Sequence, residues 1–356
     1  HNRVRRQRQM CIRDNNWTKI MGGDGMQIQI DNRDNNIVYT GLQFGNYYRL
    51  DLFNNERKSI KPKHKLGDSP LRFNWQTPIL ISPHNQDIIY FGSNKLHRSF
   101  NKGDDWEEIS KDLTSGGKKG NVPYGTITSF DESNFQFGKL IVGSDDGIVS
   151  ISTDSGKTWK SVSDNLPPDL WVSRVIFSKH EKNKIYLSLN GYRYNDFKPY
   201  VYISNDNGDS WENISSNLPL SPVNVIREDI NRKEILYVGT DNGLFISFNS
   251  GKKWHPFESS LNRVAVHDLV IQNEKNDLLV GTHGRSIYKT NLDLFNDFII
   301  EKNEEKPLII FEINDLRHSN SWGKRSNYSD DVFNSSVKTI VYSDKSIAVS
   351  YTHLTL

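Results

Sequence analysis

The sequence predicts an all-β protein, a β-propeller of four-stranded blades. Two observations predict it. The first is the pattern Ser-x-Asp-x-Gly-x-x-Trp, complete at Ser152, Asp154, Gly156, Trp159 and again at Ser204, Asp206, Gly208, Trp211. Two more copies carry Asn for Asp: Ser99, Asn101, Gly103, Trp106 and Ser247, Asn249, Gly251, Trp254. Their tryptophans lie 53, 52 and 43 residues apart, a period that belongs to repeat architectures. The second observation is the spacing of apolar runs. Runs of strand length are separated by turn signals every eight to twelve residues or so, and no stretch sustains a helical period. Four-stranded units repeated radially are propeller blades.

Each pattern follows an apolar run, as in Ile148-Val149-Ser150-Ile151, so it closes a third strand and leads into a fourth. Its Asp or Asn side chain accepts backbone N–H groups of the turn. Its Gly supplies positive φ. Its Trp is expected to fold back and be mostly buried between neighbouring sheets. All sixteen residues are therefore assigned to folding.

The second hairpin signal of each unit is also regular. Gly143-Ser144-Asp145-Asp146-Gly147 matches Gly239-Thr240-Asp241-Asn242-Gly243, with the Asp-Gly and Asn-Gly steps of tight hairpins. Gly281-Thr282-His283-Gly284-Arg285 is the same turn with His and Arg inserted. Six units follow, near 20–62, 70–115, 120–166, 168–218, 221–260 and 263–292. Trp17 reads as the last residue of an earlier copy. The run Asn190 to Pro199, with Tyr192, Tyr194 and Phe197, lengthens one hairpin of the fourth unit.

Residues 1–14 and 349–356 resemble translated sequencing adaptors and are set aside as artefact, which makes the chain a fragment. The first segment holds five arginines against one aspartate, so without it the formal +2 becomes −2. The basic balance then gives no argument for nucleic acid. Cys11, the sole cysteine, falls in that segment, so neither disulfide nor thiol chemistry is expected. The propeller is assigned to 15–295. Residues 296–348 read as a charged linker and the truncated start of a second, β-sandwich-like domain, with strands at 308–313 and 337–342. No apolar run approaches the length of a membrane-spanning helix.

This arrangement resembles the sortilin-type, Asp-box propeller superfamily, particularly its large secreted bacterial members. The likeness covers about 17–295. It includes Gly22-Gly23-Asp24-Gly25, Arg72 to Pro78, Val225 to Asp229 and Gly281 to Arg285. The resemblance implies a ten-bladed propeller or two tandem seven-bladed ones, an extracellular or periplasmic location, and either peptide binding in the propeller tunnel or glycoside hydrolysis. Sialidases among its relatives would need an arginine triad, for which Arg174, Arg227 and Arg285 exist. Arg227 is expected to pair locally within Arg227-Glu228-Asp229.

Propeller chemistry gathers where the innermost strands begin. Here those positions give Trp75, Tyr124, Trp171, Arg174, Asn224 and His267 as candidate binding residues. Aromatic faces beside polar edges suit a peptide, a glycan or a partner domain. Asp24 and Asp268 are the candidate catalytic pair if the chain is a xyloglucanase-like hydrolase, since glycoside cleavage needs two carboxyl groups. No compact catalytic motif is present, which favours a non-catalytic binding or scaffold module. No cofactor is expected, because no phosphate-cradling glycine loop precedes a helix. No metal site is expected either, for want of a cysteine pair or a His-x-x-x-His.

Overall fold

In a computed structural model, residues 19–118, 120–257, 263–293, 308–310 and 341–343 are described. The chain divides into two compact units, 1–271 with 279–288 and 272–278 with 289–356.

Antiparallel sheets follow one another in chain order. The first blade is β1 (Gln29–Ile30), β2 (Ile37–Leu42), β3 (Asn46–Asp51) and β4 (Glu56–Ser59). The second is β5 (Ile79–Ile81), β6 (Ile89–Gly92), β7 (Leu96–Ser99) and β8 (Glu107–Glu108). The third is β9 (Ile127–Glu132), β10 (Leu140–Ser144), β11 (Val149–Ser152) and β12 (Lys160–Ser161). The fourth is β13 (Trp171–Phe177), β14 (Ile185–Asn190), β15 (Tyr200–Ser204) and β16 (Glu212–Asn213). The fifth is β17 (Val223–Glu228), β18 (Leu236–Thr240), β19 (Gly243–Ser247) and β20 (His255–Pro256). The sixth has three strands among the described residues, β21 (Val266–Gln272), β22 (Asp277–Thr282) and β23 (Ile287–Asn291). Every sheet keeps sequential order, the up-and-down meander of a propeller blade. The protein is thus an all-β, six-bladed propeller.

In the second to fifth blades the middle strands are buried on both faces, and neighbouring blades share their apolar side chains. Ile141, Val149, Val172, Val175, Leu187 and Leu189, drawn from the third and fourth blades, form one core cluster. Tyr186, Val223, Ile226, Val238 and Trp254 do the same for the fourth and fifth. Burial at these seams is the main term holding one blade to the next.

The Ser-x-Asp-x-Gly-x-x-Trp turns add a second, directional term. The indole N–H donates to the residue just after the fourth strand of the preceding blade: Trp106 to Ile60 O (2.9 Å), Trp159 to Ile109 O (2.9 Å), Trp211 to Val162 O (2.8 Å) and Trp254 to Ile214 O (2.7 Å). The turn glycine packs on the same four residues. At Gly156 (φ 85°) an added Cβ would stand 2.6 Å from Ile109 O. The pattern is therefore an inter-blade staple as well as a turn. The Asp or Asn takes its expected part: Asp154 Oδ1 accepts Thr158 N at 2.9 Å, and Asn249 Oδ1 accepts Lys253 N at 2.9 Å.

The four tryptophans differ in depth. Trp254 is buried, at 1 % exposure, but Trp106, Trp159 and Trp211 are only half-buried. The blade rim leaves part of each indole facing water. Asn217 closes over Trp254 instead, bonding both its backbone N–H and C=O.

Opposite ends of the innermost strands carry other seams. His84 Nε2 lies 2.8 Å from Ser133 O, and His180 Nε2 lies 2.8 Å from Asp229 O. Tyr90 and Tyr186 donate to Glu132 and Glu228 at the start of the next blade's turn (2.8 and 2.9 Å).

In the second unit, β24 (Leu308–Ile310) pairs antiparallel with β25 (Val341–Ser343). Trp17, Cys11 and both adaptor-like segments lie outside the described residues, as does most of 296–348.

Candidate functional site

All six innermost strands, with residues beside them, line one cavity of about 280 Å³, the propeller channel. Gln27 and Gln29 enter from the first blade, Ile79 from the second, Asp131 from the third, Arg174 and Lys179 from the fourth, Arg227 from the fifth and Val270 from the sixth. The volume is at the lower end for ligand pockets. It takes a side chain or one small ring, and a longer ligand must lie across the mouth.

Towards that mouth, three blades meet in one ion cluster. Asp268 Oδ1 accepts from Arg174 Nη2 at 2.9 Å and faces Arg227 Nη2 at 3.4 Å. Arg227 Nε donates to Leu269 O at 2.8 Å, so it reaches into the sixth blade and does not pair within Arg227-Glu228-Asp229. The pleat of β17 sends successive side chains to opposite faces, which carries Arg227 to the channel while Glu228 turns to Ser178 and Tyr186. Arg174 Nε is buried without a hydrogen-bond partner.

Electrostatics separates Asp131 of the channel from Asp268 of the ion cluster. Burial pushes Asp131 up to about 6, against the opposing pull of the Phe177 N–H it accepts and the charge of Arg227. Asp268 feels burial too, but Arg174 and Arg227 outweigh it and hold its pKa below the usual carboxylate value. Burial and the neighbouring Arg174 charge bring Arg227 down to about 10, so it remains a cation at neutral pH.

The candidate binding residues fall into three groups. Arg174 belongs to the ion cluster. Asn224, on β17, donates to Asp241 Oδ1 (2.8 Å) and accepts from Asn190 (2.9 Å), linking the hairpin turns of the fourth and fifth blades. His267, on β21, faces His283 of the sixth-blade turn, with ring centroids 5.2 Å apart. Trp171 and Tyr124 form a second patch, over the third and fourth blades. Arg193 lies 3.8 Å over the Trp171 ring, and Lys118 lies 4.3 Å over Tyr124. Burial and a hydrogen bond with Tyr194 raise the Tyr124 pKa. The Asn190–Pro199 segment supplies this patch through the 3₁₀ turn Tyr192–Tyr194. Trp75 stands apart from both groups, 47 % exposed and edge-on to Phe44.

Asp24 is exposed and takes a hydrogen bond from Gln43 beside it. Asp268 is held by Arg174 and Arg227. No hydrogen bond links the two, and the channel cavity is lined by Asp131 and not by Asp24. Sequence reasoning missed Asp131 and the partnership of Arg227 with Asp268. Both rest on contacts across more than forty residues, and only the alternation of inward positions along strands already in register could have signalled them.

Residues 199–351 match the family model described as sortilin, neurotensin receptor 3. That match covers less than half of the chain and shows similarity to the sortilin family over its second half. The vacuolar protein sorting/targeting protein PEP1 of Saccharomyces cerevisiae (strain RM11-1a) is 32% identical over 99 residues, 28% of this chain and 5% of that protein. Among solved structures, the GH74 xyloglucanase from Xanthomonas campestris aligns with TM-score 0.59 at 16% identity, over 76% of this chain and 44% of that one. The Niastella koreensis GH74 enzyme aligns with TM-score 0.55 at 16% identity, over 74% and 44%. At such identity these structures share a fold. The chain spans a twentieth of the curated relative's length and under half of either enzyme.

Proposed function

We propose that this sortilin-type propeller is a non-catalytic binding module that seats a peptide or partner-domain segment over the channel mouth of the fourth to sixth blades. The observation that carries this reading is the cluster of Arg174, Arg227 and Asp268, three charged groups from three blades, two of which, Arg174 and Arg227, also line the small cavity. Half-buried charges in a fixed frame recognise polar partners at little reorganisation cost. The Arg174 guanidinium, 16% exposed, offers donors, and Asp268, still 49% exposed, offers an acceptor. Backbone amides and acidic or amide side chains suit that pair. The aromatic patch at Trp171 and Tyr124 extends the surface for a longer segment. By the same kinship the module works in an extracellular, periplasmic or lumenal setting.

Selection of a random peptide library on the folded chain tests this. Enriched peptides are expected to bind Arg174→Gln and Arg227→Gln proteins at least tenfold more weakly. Enrichment that survives both substitutions would overturn the assignment of the mouth.

A second reading, glycoside hydrolysis, is favoured by one observation: Asp131 raised to about 6 and Asp268 lowered, both under the influence of Arg227. Separated carboxyl pKa values are what an acid and its partner base require. Reducing-sugar release from xyloglucan, lost on Asp131→Asn and on Asp268→Asn, would establish it in place of the binding reading. Asp24 has no part in that pair.

A further inference from the structure

We propose that His267 and His283 form a binding site for a divalent transition-metal ion, zinc in the first instance, at the sixth-blade rim of the mouth. His267 is the second residue of β21, and His283 follows β22 in the adjacent hairpin turn. A hydrogen bond from His283 N to Ala265 O (2.8 Å) fixes the two backbones side by side. The rings stand with centroids 5.2 Å apart and planes at 38°. A tetrahedral zinc about 2.0–2.1 Å from one nitrogen of each ring places the two centroids about 5 Å apart. The observed spacing is the spacing such an ion needs.

The rings are also available. Neither imidazole makes a hydrogen bond among the described residues, although each carries two nitrogens able to do so. Two imidazoles held together without partners do not gain much from one another. Both are exposed enough for an ion to reach them. The carboxylates of Asp241 and Asp268 act on His267 from the fifth blade and from its own strand, giving the site the negative surroundings a cation favours. Imidazole ligation suits zinc, copper and nickel, and does not suit magnesium or calcium. Among the described residues no three His, Cys, Asp or Glu side chains form a cage. The site is therefore a two-imidazole one, its other positions open to water or to a donor carried by a bound ligand.

The pair escapes sequence inspection because the two histidines are sixteen positions apart and only the β21–β22 pairing joins them. The inference is independent of what the mouth binds.

Metal alone is the probe. The chelator-treated full chain is titrated calorimetrically with zinc chloride, and copper(II) is added separately for electron paramagnetic resonance. We expect one zinc equivalent whose affinity falls at least tenfold in His267→Asn and in His283→Asn, while His64→Asn binds as the parent does. Copper on the unmodified protein should show hyperfine coupling to two equatorial nitrogens, a readout that needs no variant to fold. Zinc binding unchanged by both substitutions, no zinc bound at all, or a copper spectrum with a single nitrogen would each overturn the site.

Discussion

Single residues carry the most direct tests of how the blades are held. Trp254 fills the seam between the fourth and fifth blades and donates to Ile214 O. Its replacement by Ala should cost about 3–5 kcal/mol, as for large core aromatics. Trp159 and Trp211 keep the same hydrogen bond but less burial, so their losses should be smaller. Chemical denaturation of the three variants side by side checks the order. Ser250 has φ 57°, a left-handed conformation that penalises a side chain. Ser250→Gly relieves that penalty and should stabilise by about 0.5 kcal/mol after the entropic cost of glycine. Asp131 makes stability depend on pH. Its folded pKa of about 6 lies above the ordinary 3.8, so between those values the folded state binds more protons than the unfolded one. Stability contributed by this group therefore falls as pH rises from about 4 through about 6, then levels. Asp131→Asn should flatten that segment of the melting-temperature profile, and a profile unchanged by the substitution would refute the assignment.

At the level of the element, the four staples act as modular turns. Asp154→Ala removes the hydrogen bonds to Thr158 and Ser152 but leaves the core untouched, and should cost about 1–2 kcal/mol. Gly156→Ala should cost more, since it meets both positive φ and the Ile109 carbonyl. Neither should alter ligand binding by protein that remains folded, because both sit on the outer rim. The turns were legible from sequence because their hydrogen bonds span only two to four residues. Blade count and strand order followed from the same local signals. The staple's reach was not legible: nothing in Ser-x-Asp-x-Gly-x-x-Trp names Ile60, Ile109, Val162 or Ile214 as the acceptor. Nor was the relative depth of the four tryptophans legible, since burial depends on what the neighbouring blade places over the ring.

For the whole molecule, the channel converts six local meanders into one non-local site. The candidate residues Arg174 and Asp268 were visible as inward, early positions of their strands, and they do meet. Arg227 and Asp131 were misjudged or missed, because side chains near in sequence offered an easier partner than those across the channel. Asn224 and His267 lie on the same side as this cluster, while Trp75 does not join it. The account's central claim is that the mouth bearing Arg174, Arg227 and Asp268 recognises a peptide or partner segment without transforming it. The most direct measurement is the affinity of library-selected peptides for the unmodified chain and for Arg174→Gln/Arg227→Gln protein of matched stability, with glycan products assayed in parallel. The account predicts binding that weakens at least tenfold in the double variant and no glycan turnover. Undiminished binding, or turnover abolished by Asp131→Asn, would contradict it.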